Sequence, residues 1–221
     1  MPGRLPTALR PQTTFTYPAY LAMTEDLLAQ GKTTGGHTSE EMVGYTRLNL
    51  HRMRRHDKQD APSPALVEAA RSIRLPQLWW VLTEPWCGDA AQIVPFIAKT
   101  AALNPLVDLQ LVLRDENLAL MDRFLTDGRS RSIPKWVILR PDDLHVLGAW
   151  GPRPAPLQAL YTQWRSEPGL PFEQVAERLH LWYARDRNRI MDSEFTDLLR
   201  GAAAPKSSRA NSQSASPDAS R

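Results

Sequence analysis

Leu78-Trp79-Trp80-Val81-Leu82 runs through Thr83-Glu84-Pro85 into Trp86-Cys87-Gly88-Asp89-Ala90, and this passage decides how the rest of the chain is read. Five consecutive aliphatic and aromatic residues leading into a turn describe a strand buried on both faces. Beyond Cys87 the apolar positions Ala90, Ile93, Val94, Ile97 and Ala101 repeat at helical spacing. The passage is therefore a central strand, a turn bearing the cysteine, and a helix.

Working outward, residues 107–113 alternate as a strand and residues 118–125 have helical spacing, giving a β-α-β-α order. Strands at 135–139 and 145–149 flank Arg140-Pro141-Asp142-Asp143, a turn short enough to make an antiparallel hairpin. Two further helices are expected, one over 155–165 and one over 172–199. On the N-terminal side a short helix over 18–30 stops at Gly31. Thr38-Ser39-Glu40-Glu41 carries the capping pattern of a helix running to about residue 57, and Ser63-Pro64 opens a third helix through Arg74. No internal repeat is visible.

The chain has 221 residues, enough for one sizeable core with accessory helices but short for two independent domains. The expected organisation is a flexible N-terminus at 1–15, a helical extension at 16–75, the central α/β unit with C-terminal helices at 76–200, and a disordered tail at 201–221. The tail holds no large apolar residue and cannot repay its ordering entropy.

Composition excludes several classes. The longest apolar run is far too short to cross a bilayer, so no membrane partner is expected. Arg4 and Arg10 lie among Pro2, Pro6 and Pro11, which break any amphipathic targeting helix, and no apolar signal core follows; a cytoplasmic location is expected. The net charge is +3, but Lys206, Arg209 and Arg221 against Asp218 put +2 of it in the tail. The basic run at 51–58 could contact an anion or nucleic acid, but without interleaved aromatic residues it reads better as a solvated face, and no nucleic-acid partner is expected. His37, His51, His56, His145 and His180 show no paired ligand spacing, and no phosphate-binding glycine loop occurs, so neither a metal nor another cofactor is expected. Oligomeric state is not legible.

Cys87 is the single cysteine, which precludes an intrachain disulfide and fits a reducing compartment. Trp86-Cys87-Gly88-Asp89-Ala90, with Pro95 further along the helix, resembles the thioredoxin signature Trp-Cys-Gly-Pro-Cys and its helix proline. Ile133-Pro134 before a strand is similar to the dipeptide that thioredoxins hold in the cis form against their active-site cysteine. Taken with Leu113-Arg114-Asp115-Glu116-Asn117, Ser132-Ile133-Pro134-Lys135 and Trp150-Gly151-Pro152-Arg153-Pro154, these residues resemble a bacterial thioredoxin-like family with a single-cysteine motif and an N-terminal helical extension. The resemblance spans roughly residues 17–199.

It implies an α/β thioredoxin-like fold with additional N- and C-terminal helices, Cys87 as the reactive thiol, and Trp86, Gly88, Asp89, Ile133 and Pro134 as the substrate-binding surface. Two departures limit the carry-over. Ala90 stands where the resolving cysteine would be, and Val81 where thioredoxin has a buried aspartate, so dithiol chemistry is excluded. A peroxiredoxin reading is set aside because Glu84, not threonine, lies three residues before the cysteine.

The expected function is monothiol exchange with a protein disulfide or low-molecular-weight thiol, an external thiol resolving the mixed disulfide. The alternative is a non-catalytic adaptor that uses the same groove or the helical flanks to hold a protein partner. A thiol at a strand-to-helix junction meets unpaired helix N–H groups, which favour the thiolate, while Glu84 and Asp89 oppose it. Arg131 and Lys135 beside Pro134 could offset those acids. Trp86 before it, Gly88 after it and Pro134 downstream lead us to expect a surface thiol rather than a small buried hydrophobe, and partial ionisation at neutral pH is expected of it.

Overall fold

The computed structural model describes residues 3–203. Four strands, β1 (Gln77–Thr83), β2 (Val107–Leu113), β3 (Lys135–Leu139) and β4 (Val146–Trp150), form one sheet in the order β2-β1-β3-β4. β1 pairs in parallel with β2 and antiparallel with β3, which in turn is antiparallel to β4. Every residue of β1 is buried, as a strand paired on both edges and covered on both faces must be.

The parallel β1–β2 pair requires a crossover, and α4 (Gly88–Ala101) supplies it. Three helices precede the sheet: α1 (Tyr17–Ala29), α2 (Glu40–Gln59) and α3 (Pro64–Arg71). Each starts where a side-chain oxygen accepts from an early helix N–H: Thr16 from Ala19, Ser39 from Met42 and Ser63 from Leu66. α5 (Leu118–Met121) is a single turn extended by a 3-10 turn, and α6 (Ala155–Arg165), α7 (Phe172–Asp186) and α8 (Arg189–Ala203) follow the sheet.

The core is aromatic at its centre. Phe195 of α8 lies 4.8 Å from both Trp136 and Trp150 and 5.9 Å from Phe96, and Trp136 meets Trp79 at 4.6 Å. These are offset or edge-on geometries that the ring quadrupoles favour. α8 is therefore part of the main core and not an ornament on it.

Three expectations need correction. Residues 3–15 are not loose: Leu5 is buried, its N–H donates to the Leu144 carbonyl, and Arg4 and Phe15 bridge to His145 and Leu111. Two isolated bridges leave no periodicity to read. The region 172–199 is two helices, because Arg187 and Asn188 take left-handed conformations with φ of 51° and 64°; neither is the glycine that usually marks such a break. α3 ends at Arg71 and not Arg74. Of the expected disordered tail, Gly201 to Ala203 continue α8, and the remainder lies outside the described residues. No helix among the described residues is long and apolar enough to cross a membrane.

Candidate functional site

Cys87 is the N-cap of α4, placed there by the turn that leaves β1. Its Sγ accepts from the Ala90 N–H at 3.5 Å and donates to the Ile133 carbonyl oxygen at 3.4 Å. The Ile133–Pro134 peptide bond is cis. Cys87, Gly88, Asp89 and Ile133 are thus gathered at one point, where the start of α4 meets the loop entering β3.

The thiol is not at the surface. Cys87 keeps 9% of its accessible area, and burial pushes its pKa up to about 12, helped by the charge on Asp89. The amides of Ala90 and Asp89 and the Arg153 guanidinium act the other way but do not prevail. This overturns the expectation of a surface thiol partly ionised at neutral pH. Helix-end stabilisation is a local effect, whereas desolvation depends on what the remainder of the chain stacks over the sulfur.

The groups that meet beside it come from far along the sequence. Both carboxylate oxygens of Asp89 are occupied: Tyr183 of α7 donates its hydroxyl to Oδ1 at 2.8 Å, and Arg153 pairs with Oδ2 at 2.6 Å. Arg153 follows the second cis bond, Gly151–Pro152, keeps 9% of its side chain exposed, lies 3.8 Å over the Tyr161 ring and donates to Gln158. Its Nε is buried with no partner. Gly88 faces α7 as well: a Cβ there would stand 3.2 Å from Cε1 of His180. Burial, with the nearby charges of Arg52 and Arg55, pulls His180 down to about 4.

Asp89 is therefore one member of a buried ion pair rather than a solvent-screened acid. Arg131 and Lys135 do not provide the offset expected of them. Arg131 pairs with Asp122 at 2.7 Å, and the Lys135 ammonium donates to Thr126 Oγ1 and the Gly151 carbonyl. Burial lowers Lys135 to about 8 against the opposing charge of Asp127.

Trp86 is half-buried with the Arg114 guanidinium 4.9 Å from its ring and His37 edge-on at 6.0 Å. Its Nε1 is buried without a partner. Glu84 is fully buried; it accepts from the Thr34 hydroxyl and from the Asp115 N–H. Burial outweighs these bonds and raises it to about 7. The segment between α1 and α2 thus lies against the turn that carries the cysteine.

Sequence reasoning did not single out Tyr183, His180 or Thr34, which reach the site only through tertiary packing. Arg153 sat inside a stretch already noted for its resemblance, with no role attached. Among the described residues no group of three or more His, Cys, Asp or Glu side chains could hold a metal ion.

The family model described as thioredoxin matches residues 35–165. No curated protein matches. Among solved structures, a protein of unknown function from Pseudomonas aeruginosa is 16% identical, covering 86% of this chain and 99% of its own, with a TM-score of 0.49. An HIV epitope scaffold is also 16% identical, covering 86% of this chain and 100% of its own, with a TM-score of 0.50. At 16% identity the likeness to the scaffold concerns the fold alone.

Proposed function

Because this chain belongs to the thioredoxin family, we propose that it carries out monothiol exchange at Cys87 once the cover over the sulfur parts. One observation carries this reading: Sγ lies between the Ala90 N–H in the first turn of α4, at 3.5 Å, and the Ile133 carbonyl oxygen, at 3.4 Å. That is a setting in which a thiolate, once wetted, has donors ready for it.

The exchange balances as follows. The Cys87 thiolate attacks one sulfur of a disulfide R–S–S–R, forming Cys87–S–S–R and releasing RS⁻. An external thiolate then attacks the mixed disulfide, which frees Cys87 and carries R away as a new disulfide. The backbone at Ile133 would pair with an extended substrate segment, with Trp86, Gly88, Asp89 and Pro134 around it. Substrate entry requires the Cys87–Ile133 contact to open, because the carbonyl and the sulfur are now occupied with each other.

A second reading has its own support. The burial that pushes Cys87 to about 12 suits a protein-binding adaptor that kept the fold without using the thiol. Incubation of the native chain with hydroxyethyl disulfide, followed by intact mass, separates the two. Monothiol exchange requires a mixed disulfide in the wild type, formed faster in Asp89→Asn and absent in Cys87→Ser. If native wild type and Asp89→Asn both stay unmodified while the denatured chain reacts, the adaptor reading stands.

A further inference from the structure

A cavity of about 800 Å³ opens where the last turn of α2, the start of α3 and the joint between α7 and α8 meet. Its volume is that of a small-molecule site. It holds five formally charged side chains, three arginines and two aspartates, and their bonding decides its character.

The two acids are already committed. Asp60 accepts at Oδ2 from His56 Nδ1 and from Asn188 Nδ2, each at 2.7 Å. Although burial opposes it, those bonds and the Lys99 charge hold Asp60 below the usual carboxylate range. Asp192 accepts from the Ser63 N–H at 2.8 Å and the Ser63 hydroxyl at 2.5 Å. Arg55, Arg187 and Arg189 are different: among the described residues none of them is in an ion pair. Arg189 donates through Nε to the Asp186 carbonyl, and Arg55 reaches His56 at 3.5 Å. The acids are spent on the frame while the guanidinium groups remain available, so the cavity is electropositive in effect.

The backbone arranges this. Two successive non-glycine residues, Arg187 and Asn188, are left-handed, a costly conformation for side-chain-bearing residues. The turn they make places Arg187 and Arg189 on the same cavity, while Asn188 fastens the joint to Asp60. Phe96 and Tyr183 supply aromatic wall. The basic run of α2 is divided accordingly: Arg54 pairs with Glu25, His56 is buried, and Arg55 turns to the cavity.

We propose that this cavity binds a small anion carrying two or more oxyanion groups, held by Arg55, Arg187 and Arg189. Guanidinium forks match phosphate and carboxylate oxygens in pairs, which is the chemistry three arginines outside any ion pair provide. The proposal is independent of the thiol.

Calorimetric titration of the full chain with inorganic pyrophosphate, and separately with citrate, tests it and tells phosphate from carboxylate. Saturable binding of at least one is expected, weakened about tenfold or more by Arg55→Ser with Arg189→Ser, and also by Arg187→Ser alone. Arg129→Ser and Cys87→Ser should bind as the wild type does. These arginines are exposed, so melting temperatures should not move. Absence of saturable binding of both anions to the wild type, or undiminished binding in the arginine variants, would overturn the proposal.

Discussion

The hydroxyl of Tyr183 donates to Asp89 Oδ1 across 2.8 Å, fastening the last turn of α7 to the first turn of α4 beside the Cys87 thiol. Residues 94 positions apart in the chain thereby meet two residues from one sulfur. Burial, followed by the Asp89 charge, raises the Tyr183 hydroxyl far above its ordinary range, so it remains a donor.

Removing that hydroxyl should loosen the cover without unfolding the chain. Tyr183→Phe leaves Asp89 paired with Arg153 and is expected to cost about 1–2 kcal/mol of stability. Alkylation of Cys87 at pH 7 should rise severalfold, read by iodoacetamide labelling alongside a denaturant melt. An unchanged labelling rate would mean that α7 does not limit access.

Cys87 should behave as a thiol that resists ionisation. With a pKa near 12 its thiolate fraction at pH 7 is about one in 10⁵, and labelling should keep climbing above pH 9, where ordinary thiols level off. The folded state holds this proton more tightly than the unfolded chain. The associated stability is therefore present below about pH 9 and is lost as pH rises toward 12. Melting curves of wild type against Cys87→Ala across that range check the sign.

Glu84 provides a second pH dependence in a milder window. Burial, the largest influence, raises it from 4.5 to about 7, so its contribution is present below pH 4.5 and is lost as pH climbs to 7. Relative to Glu84→Gln, the wild type should lose on the order of 3 kcal/mol over that interval. His180, lowered to about 4, runs the opposite way and is common to both proteins. A parallel pH course for the two would refute the assignment.

Gly151 tolerates no side chain. Its φ is +113°, and a Cβ would fall 2.3 Å from the Pro134 carbonyl oxygen, a backbone atom that cannot swing aside. Gly151→Ala should cost about 3 kcal/mol or more. The contrast is Gly148→Ala, where the clash at 2.9 Å is with the end of the flexible Leu198 side chain. Thermal melts of the pair should separate them clearly.

The elements that were readable in advance are those specified by neighbouring residues. The apolar run 78–82 fell within β1, Ser39 and Ser63 marked the starts of α2 and α3, and the apolar spacing after Cys87 outlined α4. Where local marks were missing, the reading failed. The Arg187–Asn188 break carries no glycine or proline, and the strand-like bridges of Arg4 and Phe15 have no alternating pattern around them.

By itself, the sequence determined that this protein has one thiol, no partner cysteine to resolve it, and a strand-turn-helix that sets the thiol at the start of α4. Strand pairing potential, helix caps and apolar periodicity act over a few residues, so they survive in a linear reading. Only the tertiary structure decided what that thiol is: buried, pushed toward its protonated form, and set beside the Asp89–Arg153–Tyr183 cluster. Desolvation and ion pairing depend on which distant groups the fold packs near the sulfur, and here α7 brings Tyr183 and the loop after β4 brings Arg153 to the Asp89 carboxylate two residues from it.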